Sequence, residues 1–214
     1  MARQLRRQYP GGRYHVGAKA THGCTIVHDD ADRRVLLHLM GTSVVRHSWT
    51  CLAFCVMTTH YHWIVETPAL DLDRGLHWVN GTYASYFNRR HKRKGHLFGD
   101  RYFSRTIERD EHALEAPRYV ELNPVRAGIC TSPTDWPWSS HRALLGLAPA
   151  PSWLHVKSAL GVFGAETNLE AARRRYAEFV ADAVPAARLA AASDWLLPAR
   201  PERAGEPSTT LKGV

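Results

Sequence analysis

The chain predicts an α+β fold of the ferredoxin-like, split βαβ type: an antiparallel sheet with helices on one face, followed by a small C-terminal helical appendage. Three observations carry that expectation. Residues 50–57 (TCLAFCVM) and 60–67 (HYHWIVET) are two apolar runs separated only by Thr58-Thr59, which makes them adjacent antiparallel strands. One helix-spaced segment precedes this pair and another follows it. An extended stretch lies outside each helix, so the order reads strand, helix, strand, strand, helix, strand, then a third helix.

Each element has its own signal. Residues 1–12 are basic and close on Pro10-Gly11-Gly12, a turn. Residues 13–20 alternate, with Tyr14, Val16 and Ala18 on one face, and form the first strand. Asp29-Asp30 starts a helix in which Val35, Leu36, Leu39 and Met40 recur at helical spacing up to about Val45. The two apolar strands follow, and Pro68 breaks the second. Asp71 is placed to cap a helix running to about Arg90, with Leu72, Leu76, Val79, Tyr83 and Phe87 on its apolar face and Gly81 as an unfavourable interior residue. A basic loop, HKRKGHLFGDRYFSR, leads to a short strand over residues 105–108. The third helix spans residue 110 to about residue 122; Pro117 is awkward within it and Pro124 ends it. Trp136-Pro137-Trp138-Ser139-Ser140 opens a small helical segment to about Leu147, and residues 152–163 and 168–183 read as two more helices. From Pro185 the chain is rich in Ala, Pro and Arg and ends in the polar PERAGEPSTTLKGV, which reads as disordered. Three parts result: residues 1–147, a helical extension 148–184, and a tail 185–214.

Composition narrows the function classes. Lys plus Arg is 28 against 20 Asp plus Glu, a net charge of +8, which suits a polyanionic partner, nucleic acid before an acidic membrane surface. The four cysteines, Cys24, Cys51, Cys55 and Cys130, form no CxxC pair, which disfavours a structural zinc ribbon or finger. Cys51 and Cys55 lie in an apolar run and read as buried thiols of a reducing compartment. The first residues lack the apolar stretch of a signal peptide and no window reaches the length of a membrane span, so the expected location is the cytoplasm.

The chemistry-bearing residues fall in two places. His60 and His62 flank Tyr61 at the head of a strand, so both imidazoles point to one face and can hold one divalent ion; two histidines ending a half-buried strand is the plainer alternative. Tyr119 and Asn123 lie four apart on the third helix and share a face. Together with the histidine pair they make a coherent set: two imidazoles and an amide oxygen on a metal, with a phenol beside it as nucleophile toward a phosphodiester. Taken singly, Tyr119 also reads as a core tyrosine and Asn123 as a helix-terminal residue. Arg89, Arg90, Lys92, Arg93 and Lys94, then Arg101 and Arg105, form a positive tract interleaved with Phe98, Tyr102 and Phe103, which suits phosphates and unpaired bases. Arg3, Arg6, Arg7 and Arg13 make a second basic patch, and Arg118 and Arg126 flank the tyrosine turn, where either can reach a phosphate.

HYHWIVET, VNGTYASYFNRRH, GHLFGDRY, YVELNPVRAG and WPWSS occur in that order, and in this the chain resembles the single-tyrosine HUH transposases of insertion sequences, specifically the bacterial REP-associated tyrosine transposases. The resemblance covers about residues 8–147. It implies a ferredoxin-like nuclease that cuts and rejoins single-stranded DNA beside a hairpin, acting in the cytoplasm at the nucleoid as a monomer or homodimer. It implies His60, His62 and Asn123 as ligands of Mg²⁺ or Mn²⁺, and Tyr119 as the nucleophile forming a 5′-phosphotyrosine. Two segments differ from the family's usual runs: Met57-Thr58-Thr59 stands where Met-Pro-Asn is common, and Gly17-Ala18-Lys19-Ala20-Thr21 where a Thr-x-Arg-Gly-Asn-like run is common. A DNA-binding regulator that has lost catalysis is the alternative, and a hydrolase using His60 and His62 as general acid and base is a third reading.

Overall fold

The computed structural model describes residues 8–107 and 110–189. Its four strands are β1 (Gly12–Lys19), β2 (Thr50–Val56), β3 (His60–Thr67) and β4 (Phe103–Thr106). They form one sheet in the order β2-β3-β1-β4, antiparallel throughout, as the split βαβ arrangement requires. Helices α1 (Asp30–His47) and α2 (Leu72–Arg90) follow β1 and β3. The third helix, α3 (Asp110–Arg126), comes after β4.

Strand alternation divides the sheet into two unequal faces. Tyr14, Val16 and Ala18 of β1 join Tyr61, Trp63 and Val65 of β3 in the main core, which includes Leu36, Met40 and Val44 of α1 and Leu76, Val79 and Tyr83 of α2. The opposite face carries a smaller core in which Ala53, Cys55 and Ile64 meet Ala116 and Val120 of α3. Two helices therefore share one face as expected, while α3 packs on the other. In the β1–β3 register Lys19 lies opposite His60, Gly17 opposite His62 and His15 opposite Ile64, so both histidines of the triplet point to the α3 face. Tyr61 points into the main core, fully buried, and donates its hydroxyl to Asn80 Oδ1 at 2.9 Å. Gly17 is required here: a Cβ at this position would sit 2.2 Å from the Tyr61 carbonyl oxygen and 2.4 Å from the Phe103 ring.

The segment after α3 builds onto the exposed edge of β2. Val56 N–H donates to Trp138 O at 2.9 Å, Ser140 N–H to Phe54 O at 2.9 Å and His155 N–H to Cys51 O at 2.9 Å, which covers an edge strand that would otherwise offer unpaired backbone groups. Helices α4 (His141–Leu144), α5 (Val156–Ala159), α6 (Leu169–Asp182) and α7 (Val184–Leu189) complete this layer. Its anchor is Glu121 of α3, fully buried, which accepts from Ser140 Oγ at 2.8 Å, His141 Nδ1 at 2.6 Å and Tyr176 Oη at 2.8 Å.

Several expectations are corrected. The last sheet strand is Phe103–Thr106, two residues earlier than expected, because its pairing with β1 runs Phe103 to Gly17 through Thr106 to Tyr14. Asp71 does not cap α2; its carboxylate accepts from Trp49 Nε1 at 2.8 Å and meets His47 Nδ1 at 2.6 Å, tying the end of α1 to the start of α2. The region 152–163 holds only the short α5 and a 3₁₀ turn at Gly161–Phe163. Helix α7 carries ordered chain past Pro185 to Leu189. Arg3, Arg6, Arg7, Glu108 and the tail from residue 190 lie outside the described residues.

Candidate active site

His60 and His62 are the first and third residues of β3, and their rings lie 4.9 Å apart between centroids. Each has its Nδ1 engaged: His60 Nδ1 lies 3.0 Å from Thr59 Oγ1, and His62 Nδ1 lies 3.0 Å from Nε2 of His15. Hydrogen bonds at Nδ1 leave Nε2 of each ring as the nitrogen for a common target. That target is Asn123, whose side chain lies near enough to both imidazoles to act on each.

Asn123 sits at an irregularity in α3. Pro124 has no N–H for the carbonyl of Val120, yet the helix continues to Arg126 rather than ending before the proline. The Asn123 amide nitrogen donates to Tyr119 O at 2.9 Å and approaches Val120 O at 3.5 Å. With Nδ2 committed to the backbone, Oδ1 is the atom turned toward the histidines. Tyr119, one turn earlier, is 7% exposed, and its ring centroid lies 5.8 Å from that of His62 and 5.9 Å from that of His15. One turn later Arg126 places its guanidinium carbon 5.1 Å from the Tyr119 ring centroid. A single chain therefore assembles the phenol, both imidazoles, the amide and a cation.

Burial dominates the electrostatics of the imidazoles. It lowers His60 to about 4, helped by the charge of Lys19 and opposed by the neighbouring Asn123 side chain. Burial also lowers His15 to about 3, with the Arg105 charge adding to it. His62 is lowered well below its ordinary value, first by burial and then by its two histidine neighbours. Neutral imidazoles suit metal ligation, whereas a general acid at neutral pH needs the opposite shift.

The donor set fits a divalent ion in character. Two neutral imidazoles held at Nδ1, plus an amide oxygen, match a site completed by phosphate or water oxygens, which favours Mn²⁺ or Mg²⁺ over a closed zinc site. Among the described residues no group of three or more His, Cys, Asp or Glu side chains is gathered to hold a metal.

The predicted basic residues divide into two groups. Arg105 of β4 lies opposite His15 in register, on the site's face of the sheet. Arg126 is at the site; Arg118 is not, because its guanidinium pairs with Glu115, donates to Phe179 O at 3.3 Å and lies 4.1 Å from the Phe179 ring centroid. Arg90 is clamped on Asp29 and Asp32, joining the start of α1 to the end of α2. Arg93 is drawn inward onto Asn88 Oδ1, Cys24 Sγ and the Phe87 ring, and Arg13 pairs with Glu66. Arg89, Lys92, Lys94 and Arg101 are exposed. Sequence reading did not bring Lys19, His15 or Thr59 to the site, and it read Phe103 only as an aromatic of the basic tract. The alternation that put Tyr14, Val16 and Ala18 on one face implies His15, Gly17 and Lys19 on the other, and this was the available signal for two of them.

A family model described as IS200-like transposase matches residues 13–123, a span that ends on Asn123. No curated protein matches the chain. Among solved structures, that of a REP-associated tyrosine transposase bound to a REP hairpin aligns with a TM-score of 0.58 and 17% sequence identity, over 71% of this chain and 89% of that one.

Proposed function

The chain belongs to the IS200-like transposase family, and from that premise we propose that it is a single-strand DNA endonuclease and strand transferase of the REP-associated kind, acting through Tyr119 beside a DNA hairpin. The observation that carries this reading is the gathering of Tyr119, His60, His62 and Asn123 on the α3 face of one chain, with Arg126 over the phenol. The structural neighbour's REP hairpin supports the class of substrate.

In this mechanism the Tyr119 oxygen attacks the scissile phosphorus. A phosphotyrosine forms on the 5′ side and the 3′ sugar oxygen leaves as a hydroxyl; a second attack by a 3′ hydroxyl returns the tyrosine. Two phosphoester bonds are exchanged at equal count, so no external energy source is needed. Arg126 favours the ionised phenol and, with Lys19 and Arg105 on the adjoining strands, favours the phosphate. His60, His62 and Asn123 would hold Mg²⁺ or Mn²⁺. When bound, that ion supplies Lewis-acid polarisation of the scissile phosphate. Completion of the site within one chain supports cleavage by a monomer.

The test is incubation of the protein with hairpin-bearing oligonucleotides and Mn²⁺, followed by denaturing electrophoresis. Wild type is expected to give a covalent protein–DNA adduct that Tyr119→Phe does not form. Cleavage at full rate by Tyr119→Phe refutes the assignment, and hairpin binding without cleavage under either metal identifies a DNA-binding regulator instead.

A further inference from the structure

We propose that His15 is a positioning residue for His62: it accepts the Nδ1–H of His62 and so leaves Nε2 of His62 as the metal-facing nitrogen. The inference rests on the metal site described above and adds a residue to it.

Three observations converge on His15. Its Nε2 is 3.0 Å from His62 Nδ1, with both residues fully buried. Its ring is fixed on two further sides, edge-on to Phe103 at 4.9 Å and to Tyr119 at 5.9 Å between centroids. It sits two residues from Gly17, which is the position opposite His62, and the absence of a side chain there leaves room for the Phe103 ring.

The pairing has consequences for protons. A neutral imidazole carries one N–H, and a metal takes the other nitrogen. If Nε2 of His62 is the ligand, its N–H is on Nδ1, and the nitrogen facing it is Nε2 of His15. His15 then carries its own proton on Nδ1. The His60 side of the site uses a different device, the Thr59 hydroxyl, 3.0 Å from His60 Nδ1, which accepts when that nitrogen carries the proton. Thr59 is one of the residues that departs from the family's common run, yet it fills an outer-shell role. Partners of this kind typically change metal affinity by about 10–100-fold when removed.

Two variants separate nitrogen from ring. His15→Phe keeps the aromatic packing and removes the acceptor; His15→Gln restores a hydrogen-bonding group of similar reach. Mn²⁺ binding is followed by electron paramagnetic resonance, without DNA. His15→Phe is expected to weaken Mn²⁺ binding about tenfold or more, with His15→Gln recovering part of the loss. Long-range ¹H–¹⁵N spectra of wild type with saturating Mg²⁺ give an independent readout, in which His62 is expected as the Nδ1–H tautomer. Mn²⁺ binding unchanged in folded His15→Phe, or an Nε2–H tautomer in the loaded wild type, overturns the inference and leaves the metal site standing. Wild type that binds no Mn²⁺ overturns the metal site and the role of His15 with it. Loss of the adduct in Tyr119→Phe is unaffected by any of these outcomes.

Discussion

Replacing Glu121 by alanine is expected to cost about 3–5 kcal/mol of folding stability, a large share of the roughly 5–15 kcal/mol of a typical domain. The carboxylate is fully buried and accepts from three side chains. Ser140 loses least, because its hydroxyl also bonds the Phe54 backbone, accepting from N–H at 3.0 Å and reaching O at 3.3 Å. His141 Nδ1 and Tyr176 Oη lose the partner they share, and each buried orphan costs about 1–3 kcal/mol, to which the vacated volume adds. Glu121→Gln keeps an acceptor in reach and is expected to cost less than half as much. Urea unfolding followed by circular dichroism and by tryptophan fluorescence measures both. A loss below 1 kcal/mol in Glu121→Ala, or equal losses in the two variants, refutes the reasoning. Because Glu121 lies two residues from Tyr119 and ties α3 to α4 and α6, the folded glutamine variant is also expected to form the DNA adduct more slowly.

The metal-free protein is expected to lose stability on mild acidification. Below pH 6.5 the unfolded chain protonates His15 and His60 while the folded chain does not, so stability falls with pH down to about 4 for His60 and about 3 for His15. His60 alone contributes about 3 kcal/mol across that window, and unchanged urea midpoints between pH 7 and pH 5 contradict the burial argument. Replacing the exposed Lys92, Lys94 and Arg101 by alanine is expected to weaken single-stranded DNA binding and flatten its salt dependence, each lost phosphate contact reducing the slope of log K against log salt by about 0.7. Arg90→Ala is expected to lower thermal stability through the lost Asp29 and Asp32 clamp, with little change in that slope. Comparable slope changes in both experiments contradict the division between surface and clamp cations.

The fold was legible because its signals are local and redundant. Residues 51–57 and 63–65 are apolar runs on either side of one short connection, and β3 spans His60–Thr67 as expected. The site was legible in its chemistry, since His60 and His62 at strand spacing and Tyr119 and Asn123 at helix spacing are faces that sequence periodicity reports directly. The charges were less legible. Arg90, Arg93 and Lys92 are neighbours in a basic run, but α2 ends there, so Arg90 reaches Asp29 and Asp32, Arg93 folds onto Phe87, and Lys92 is exposed. Which arginine finds a carboxylate depends on pairs some sixty residues apart, and composition does not carry that information.

The misread end of α3 is the most instructive departure, because the same residue explains the site. Proline before the last helical turn ordinarily stops a helix, and the expected stop before Pro124 followed from that rule. The helix continues because its other contacts hold it: Ala127 N–H bonds Asn123 O at 2.9 Å and Ile129 N–H bonds Pro124 O at 2.9 Å. The missing N–H at residue 124 takes a donor from the Val120 carbonyl, and the Asn123 amide lies over that carbonyl and its neighbour on Tyr119. An asparagine elsewhere in a helix turns its amide to solvent and leaves either oxygen or nitrogen free to face a ligand. Here the backbone selects the nitrogen, so the oxygen faces His60 and His62. A local rule is broken at the point where the helix presents the amide oxygen toward the histidines, with the amide nitrogen bonded to the Tyr119 carbonyl.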